Sequence, residues 1–148
     1  MKSHTTMNSF PVKLSPEEFA ELNRLFPPSQ GSSDIGKRAV AIVECYFRRK
    51  DPHCKFVDPP RGADLAVVLE MDGRKFFEVK GTADSDIAWQ KLKVSSQSSH
   101  DLLKEGSASV LRVTDVFGVV PVVYELRCGQ HFQLEPEPRW TFKPVHEA

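Results

Sequence analysis

The chain begins with two stretches in which apolar residues recur at helical spacing. The first predicts a helix over residues 16–26, because Ser15 and Glu18 have the spacing of a capping box and two prolines end the apolar stripe. We expect this helix to pack on its own domain rather than on a partner. The second stretch predicts a longer helix over about residues 35–49.

The middle of the chain changes to the patterns that are typical of strands. Residues 64–80 contain two apolar runs on either side of Asp72–Gly73, which predicts a β-hairpin. A short helix is expected over about residues 96–105, followed by strands over 108–116 and 119–126. A strand, a crossover helix and a further strand imply a parallel connection, so the sequence predicts an α/β fold with a mixed sheet and helices on both faces.

The hairpin carries three ionisable residues whose relative positions depend on its loop. Glu78 and Lys80 lie two residues apart on one strand and therefore share a face. A two-residue turn at Asp72–Gly73 would place Asp64 on the opposite face, whereas a three-residue loop over 71–73 places it on the same face. The longer loop is preferred because it pairs opposite charges and apolar groups across the strands. It predicts that Asp64 pairs with Lys80 and lies diagonal to Glu78.

Two carboxylates held close together repel each other unless a cation lies between them, and a divalent metal ion is the usual solution. The spacing of Asp64 and Glu78 therefore indicates hard-metal chemistry on a phosphate. An ordinary surface cluster of ion pairs on a hairpin is the alternative. By themselves, Asp64, Glu78 and Lys80 favour that simpler interpretation.

The order of the predicted elements is a second line of evidence, beside the spacing of these three residues. A helix, a hairpin, a second helix and two more strands, with Asp64, Glu78 and Lys80 on the hairpin, resemble the PD-(D/E)xK nuclease superfamily. Ala63 stands where the family name has its proline. The local sequence around these residues is also similar to that of the domain at the end of the plant NO VEIN protein and of its bacterial relatives in restriction-associated proteins. The resemblance covers roughly residues 34–127 and implies a restriction endonuclease-like mixed sheet flanked by helices.

The resemblance also implies a metal-dependent active site. Mg²⁺ (or Mn²⁺) would be held by Asp64, Glu78 and the carbonyl of Val79. Lys80, between two carboxylates, would keep its charge, orient a water molecule and stabilise the developing charge on the phosphate.

The helices of the resembled family contribute further polar residues to the site. The first helix often supplies an acidic residue, and Glu44 is the candidate here, both as a catalytic residue and as a metal ligand. The alternative is an exposed glutamate. The helix after the hairpin can offer a polar residue, for which Gln97 is the candidate, with a plain surface position as the alternative.

The net charge of the 148 residues is zero, so only a local cluster of basic residues could attract nucleic acid. Basic residues cluster between positions 37 and 61, directly ahead of Asp64. The predicted nucleic-acid-binding residues are Lys37, Arg38, Arg48, Arg49, Lys50 and Arg61. For the three at positions 48–50, the alternative is a solvated helix end, where cations interact favourably with the helix dipole.

Length and a hydrophobic content of 40% predict one domain with short appendages. We expect an N-terminal extension over residues 1–33, a nuclease-like domain over 34–127 and a tail over 128–148 that packs on the domain. Three cysteines without Cys-x-x-Cys spacing and the lack of a long apolar run predict a soluble, cytoplasmic protein away from membranes.

Together these patterns predict a nuclease-like domain, an endonuclease or exonuclease that hydrolyses phosphodiester bonds in nucleic acid, with DNA preferred. Expected partners are nucleic acid and either a second copy or a larger nuclease, restriction or defence complex. The alternative is a non-catalytic subunit or protein-interaction module on a nuclease fold. Neutral charge and small size favour that alternative.

Overall fold

The computed structural model describes residues 7–29, 31–137 and 142–145, which fold into one sheet and three helices. The strands are β1 (Asn8–Pro11), β2 (Lys55–Val57), β3 (Leu65–Leu69), β4 (Gly73–Gly81), β5 (Ala108–Thr114) and β6 (Val122–Leu126). The helices are α1 (Pro16–Leu25), α2 (Ser32–Lys50) and α3 (Gln97–Lys104), with a single 3₁₀ turn at Trp89–Lys91. All three predicted helices are present, and α2 is longer than predicted at both ends.

The six strands form one sheet in the order β1-β6-β5-β4-β3-β2. The central pair, β4 and β5, is parallel, and α3 lies in the connection between them. Every other neighbouring pair is antiparallel. The predicted α/β fold with a mixed sheet is therefore confirmed.

Alternate residues of β4 point into two different cores. Phe77 and Val79 pack with buried residues of α2, whereas Phe76 packs with the cluster that contains Leu103 of α3. Strand side chains alternate between faces, so α2 and α3 lie on opposite sides of the sheet. Glu78 and Lys80 share the parity of Phe76 and extend from the α3 side.

The N-terminal segment is part of this fold. β1 pairs with β6, and Leu22 of α1 is buried in the core. The predicted capping box is present: the Glu18 amide donates to Ser15 Oγ at 3.0 Å, and the Ser15 amide donates to Glu18 Oε1 at 2.8 Å. The prediction that this helix packs on its own domain is confirmed.

Arg38 connects α1 to the rest of the domain from a fully buried position. Its Nε donates to the Val116 carbonyl at 2.7 Å, and its Nη1 donates to Asn23 Oδ1 at 2.8 Å and to the Phe26 carbonyl at 3.0 Å. The guanidinium carbon also lies 5.1 Å from the ring centroid of Phe117. The expectation that Arg38 belongs to a basic nucleic-acid surface is wrong, because its donors face the protein interior.

The hairpin has the predicted parity but a different register. Leu65 pairs with Phe77 and Leu69 with Gly73, so the three loop residues are 70–72 rather than 71–73. Each residue of β3 meets a partner two positions earlier than predicted. A shift of two residues preserves the faces. The predicted pairing of Asp64 with Lys80 is wrong: Asp64 precedes the ladder, and its amide donates to the Phe77 carbonyl at 2.9 Å.

A contact from outside the hairpin explains the shift. The amide of Glu70 donates to Asp51 Oδ2 at 2.8 Å, which ties the end of β3 to the end of α2. Glu70 is thereby held in the loop, and Gly73, with a φ of 75°, begins β4. A positive φ at this position suits glycine, as the sequence predicted, but the start of the ladder is set by a tertiary contact.

The chain after β6 returns to the α3 face. Phe132 and Leu134 pack against the core cluster of that face, and Cys128 forms an isolated bridge with Phe132. Residues 138–141 and 146–148 of the predicted tail lie outside the described residues. Within the part of the chain that the structure describes, no helix combines the length and apolarity required to cross a membrane.

Candidate active site

Asp64 lies where a loop enters β3, and main-chain contacts fix its position. Its amide donates to the Phe77 carbonyl at 2.9 Å, and its Oδ2 accepts a hydrogen bond from the Val79 amide at 2.9 Å. The loop is also tied to α3, because Ser99 Oγ donates to the Gly62 carbonyl at 2.9 Å. An exposed carboxylate is therefore held beside the backbone of Glu78 and Val79.

Glu78 is only 6% exposed, although it carries an ionisable group. Its Oε1 lies 3.2 Å from Nζ of Lys80, which is about one-third exposed. Its Oε2 is buried and has no hydrogen-bond partner among the described residues. Buried polar atoms are ordinarily paired, and an orphaned carboxylate oxygen is costly. One oxygen of Glu78 is therefore available to a cation or a water molecule.

A cleft of about 660 Å³, which we call the Asp64 cleft, opens between the end of β4 and the first turn of α2. Its cationic lining residues are Lys80, Lys91 and Arg112, and Ser32 contributes from the start of α2. Cations and a helix N-terminus both favour bound anions. The cleft therefore combines one exposed carboxylate with a lining that suits a phosphate group.

Arg112, a buried residue of β5, holds part of the wall of this cleft in place through hydrogen bonds. Its guanidinium donates to the carbonyls of Ile87 at 2.7 Å, Gly81 at 3.1 Å and Ala88 at 3.4 Å. Burial lowers the pKa of Arg112, and Asp84 opposes that shift. Arg112 thus contributes both a positive charge and a fixed path for the chain that follows β4.

The same segment is held by Asp84. Lys91 Nζ and Thr82 Oγ1 each donate to Asp84 Oδ2 at 2.7 Å. These hydrogen bonds, that of Lys91 first, lower the pKa of Asp84. Residues 82–91 are consequently connected at several points along the edge of the Asp64 cleft.

A second cleft of about 730 Å³ lies on the α3 face, and we call it the Trp89 cleft. Trp89, which is 43% exposed, lines it together with Val110 and Leu126 of the sheet. Lys80 lines both clefts. The two openings are therefore neighbours that share one cationic side chain.

Glu44 and Gln97, the two further candidates on the helices, are not among the residues that line either cleft. Glu44 lies partly exposed on α2. Gln97 is exposed at the first position of α3, and its side-chain amide donates to Asp101 Oδ1 at 2.8 Å. Over residues 7–29, 31–137 and 142–145, no group of three or more His, Cys, Asp or Glu side chains is arranged to hold a metal ion.

The remaining predicted nucleic-acid-binding residues are exposed but not equivalent. Lys37 and Arg61 lie at the surface. The Arg48 guanidinium carbon lies 5.1 Å from the ring centroid of Phe56, and Lys50 Nζ lies 6.0 Å from that of Tyr46. Arg49 donates to the carbonyl of Lys13 at 2.6 Å and to the side chain of Glu18. Arg49 therefore has an intramolecular role that a purely nucleic-acid-binding residue would not need.

Three residues of the clefts were missed by sequence reasoning. Arg112 had a usable signal, since an arginine inside a continuous apolar strand must find partners when it is buried. Lys91 and Trp89 lie in a stretch without clear periodicity, and their positions depend on the contacts of residues 82–91. No local sequence pattern predicts that these two residues line a cleft.

Gly62 offers a test of how the loop before Asp64 is held. Its φ is 99°, and an added Cβ would lie 2.6 Å from the carbonyl carbon of Ser98 in the first turn of α3. We expect Gly62→Ala to lower the free energy of unfolding by more than the about 1 to 3 kcal/mol that a positive φ alone costs, because the added Cβ would also meet the backbone of α3. Gly106→Ala is the matched control, since Gly106 has a φ of 82° but open space around it. Equal losses for both variants in urea denaturation would show that contact with α3 contributes nothing.

Comparisons of the chain with protein-family models, with curated proteins and with solved structures each find no significant match. No assignment of function can therefore be transferred from a relative. The interpretation of the site rests on the geometry around Asp64, Glu78 and Lys80, together with the charge of the adjoining cleft.

Proposed function

We propose that this chain is a metal-dependent nuclease that hydrolyses phosphodiester bonds in nucleic acid, with DNA as the preferred substrate class. The observation that carries the proposal is the buried Glu78 carboxylate, with one oxygen near Lys80 and the other without a partner among the described residues. The Asp64 carboxylate accepts a hydrogen bond from the amide of Val79, the residue after Glu78. This arrangement is what the resemblance to PD-(D/E)xK nucleases implies for these positions. A restriction endonuclease-like arrangement of the sheet is part of the same proposal.

The donor set fits a small divalent cation. Mg²⁺ keeps several water ligands and commonly uses only one or two carboxylates, so three acidic residues are not required. Asp64, Glu78 and the carbonyl of Val79 would hold the ion, and the unpaired Glu78 Oε2 supplies a buried oxygen in need of a cation. When bound, such an ion polarises a phosphate oxygen and lowers the pKa of a bound water.

The residues around the Asp64 cleft have separate roles in this proposal. Lys91, Arg112 and the first turn of α2 attract and orient the phosphate. Lys80 lies at the opening, where its ammonium group orients the attacking water and stabilises the charge that develops on the phosphate. Glu78 keeps Lys80 in place through the 3.2 Å contact.

Metal binding can be measured directly by isothermal titration with Mn²⁺ or Mg²⁺. We expect Asp64→Asn and Glu78→Gln to weaken binding by about 10-fold or more, since even indirect partners of metal ligands contribute 10- to 100-fold. Asp72→Asn is the control, because Asp72 is an exposed carboxylate in the loop of the same hairpin. Equal affinities for wild type and Asp64→Asn would exclude Asp64 as a ligand.

A further inference from the structure

The Trp89 cleft has no role in the reaction described above. Its volume of about 730 Å³ lies within the range of about 300 to 1,000 Å³ that is usual for small-molecule sites. Val110 and Leu126 give it an apolar base on the sheet, and Trp89 gives it an aromatic side. An apolar base beside a partly exposed indole is suited to a flat group with apolar faces.

The position of Trp89 is fixed by its neighbours along the chain. Arg112 donates to the carbonyls of Ile87 and Ala88, the two residues immediately before Trp89. Ala88 has a φ of 52°, which is an uncommon value for a residue other than glycine. The direction of the chain into the 3₁₀ turn is therefore set by a buried arginine rather than left to a free loop. A preorganised aromatic side chain loses little entropy when a ligand stacks on it.

The two clefts meet at this turn. Trp89 lines the Trp89 cleft, and Lys91, two residues later, lines the Asp64 cleft. Lys80 lines both. One ligand that extends past Lys80 would therefore place a charged group on one side and a flat apolar group on the other.

The charges of the Trp89 cleft indicate which part of a ligand enters it. Glu135 and Glu137 line its far side, and Lys93 Nζ lies 3.0 Å from Glu137 Oε1. These two glutamates balance the two lysines of the lining, Lys80 and Lys93, so the Trp89 cleft has no excess of positive charge that would attract a second phosphate. Ser95 and Gln133 add neutral polar groups that can form hydrogen bonds with a base edge. The chemistry favours a neutral, planar group that carries donors and acceptors.

We propose that the Trp89 cleft receives one unstacked nucleobase of the strand whose phosphate occupies the Asp64 cleft, with Trp89 as the stacking surface. This inference rests on the proposed function and names its substrate class. A base inside a duplex is already stacked and paired, so the substrate is single-stranded, or has a frayed end or branch, at the site of attack. An intact blunt duplex is a poor ligand.

Binding can be tested without any cleavage, in the presence of a chelator. The chain has two tryptophans, so Trp140→Phe leaves Trp89 as the sole indole fluorophore. We expect a short single-stranded DNA oligonucleotide to quench the emission of this variant. An abasic strand of equal length should not quench it, and a blunt duplex should require a higher concentration. Equal quenching by the abasic strand would overturn the proposal.

The affinity itself is measured by fluorescence anisotropy of a labelled single strand. Trp89→Ala is expected to weaken binding by about 10-fold, because one base stacked on an aromatic ring contributes a factor of that order. Trp89→Phe retains a stacking surface and should remain close to wild type. An unchanged affinity for Trp89→Ala would overturn the proposal.

The two proposals fail in different ways. If single strands quench Trp89 but no nucleic acid is cleaved with Mn²⁺ present, the base site stands and the nuclease reaction fails. If cleavage occurs but Trp89→Ala binds and cleaves single strands like wild type, the nuclease reaction stands and the base site is wrong.

Discussion

Lys80→Ala is expected to lower the rate of metal-dependent nucleic-acid cleavage by about 10²-fold or more, which is the effect of removing one preorganised charge from a transition state. Lys80 is partly exposed, lines both clefts and lies 3.2 Å from Glu78 Oε1. Affinity for the substrate should stay close to wild type, because Lys91 and Arg112 still attract the phosphate. Single-turnover cleavage and anisotropy with the same oligonucleotide separate the two effects.

Lys75→Ala is the matched control, since Lys75 is on the same strand but at the hairpin end, paired with Val67. It should leave cleavage unchanged. Thermal unfolding of Lys80→Ala must be measured in parallel, because the variant leaves the buried Glu78 carboxylate without its cation. Cleavage that survives in a folded Lys80→Ala protein would remove Lys80 from the mechanism.

Arg38→Met is expected to give the largest loss of stability, about 3 kcal/mol in the free energy of unfolding. The substitution removes the partner of one buried acceptor, Val116 O, and of two part-buried acceptors, Phe26 O and Asn23 Oδ1. A buried acceptor without a partner costs about 1 to 3 kcal/mol, and a part-buried one costs less because water can reach it. The gain from removing a buried charge offsets part of this cost. Urea denaturation followed by circular dichroism provides the measurement.

Arg24→Met is the control for Arg38→Met. Arg24 is on α1, and its ion pair with Glu21 is exposed, with side-chain exposures of 68% and 53%. Exposed pairs contribute about 0 to 1 kcal/mol, so little change is expected. If Arg38→Met and Arg24→Met unfold at the same urea concentration, Arg38 does not hold α1 to the domain.

The sequence predicted those parts of the fold that local rules determine. The capping box of Ser15 and Glu18 defines the start of α1. The parity of the hairpin register was also predicted, so the paired residues of β3 and β4 have the expected faces. These features depend on residues that lie close together in the chain.

Features that depend on distant contacts were not predicted. The register of the hairpin depends on the hydrogen bond from Glu70 to Asp51, and the strand β1 exists because β6 offers it a partner. Arg38 was assigned to the surface because helical periodicity alone does not show that α1 and the residues after β5 would cover it. The sequence pattern of an arginine on a helix is the same whether solvent or another part of the protein covers that face.

The candidate site follows the same division. Asp64, Glu78 and Lys80 were recognised from their spacing, whereas Arg112, Lys91 and Trp89 are brought to the clefts by the path of residues 82–91. That path is fixed by the local ion pair of Lys91 with Asp84 and by hydrogen bonds from Arg112, which lies 25 residues from Ile87 and 24 from Ala88. Sequence spacing therefore identified the residues of the proposed chemistry, but not the cleft-lining residues that would select the substrate.

Cleavage of DNA by matched proteins is the decisive test of the claim that Asp64 belongs to a metal-dependent nuclease site. Wild type and Asp64→Asn are incubated with plasmid, single-stranded and branched DNA in the presence of Mn²⁺, and the products are resolved on a denaturing gel. We predict that wild type cleaves at least one substrate and that Asp64→Asn cleaves none. Identical products from both proteins, or intact DNA in every lane, would contradict the claim.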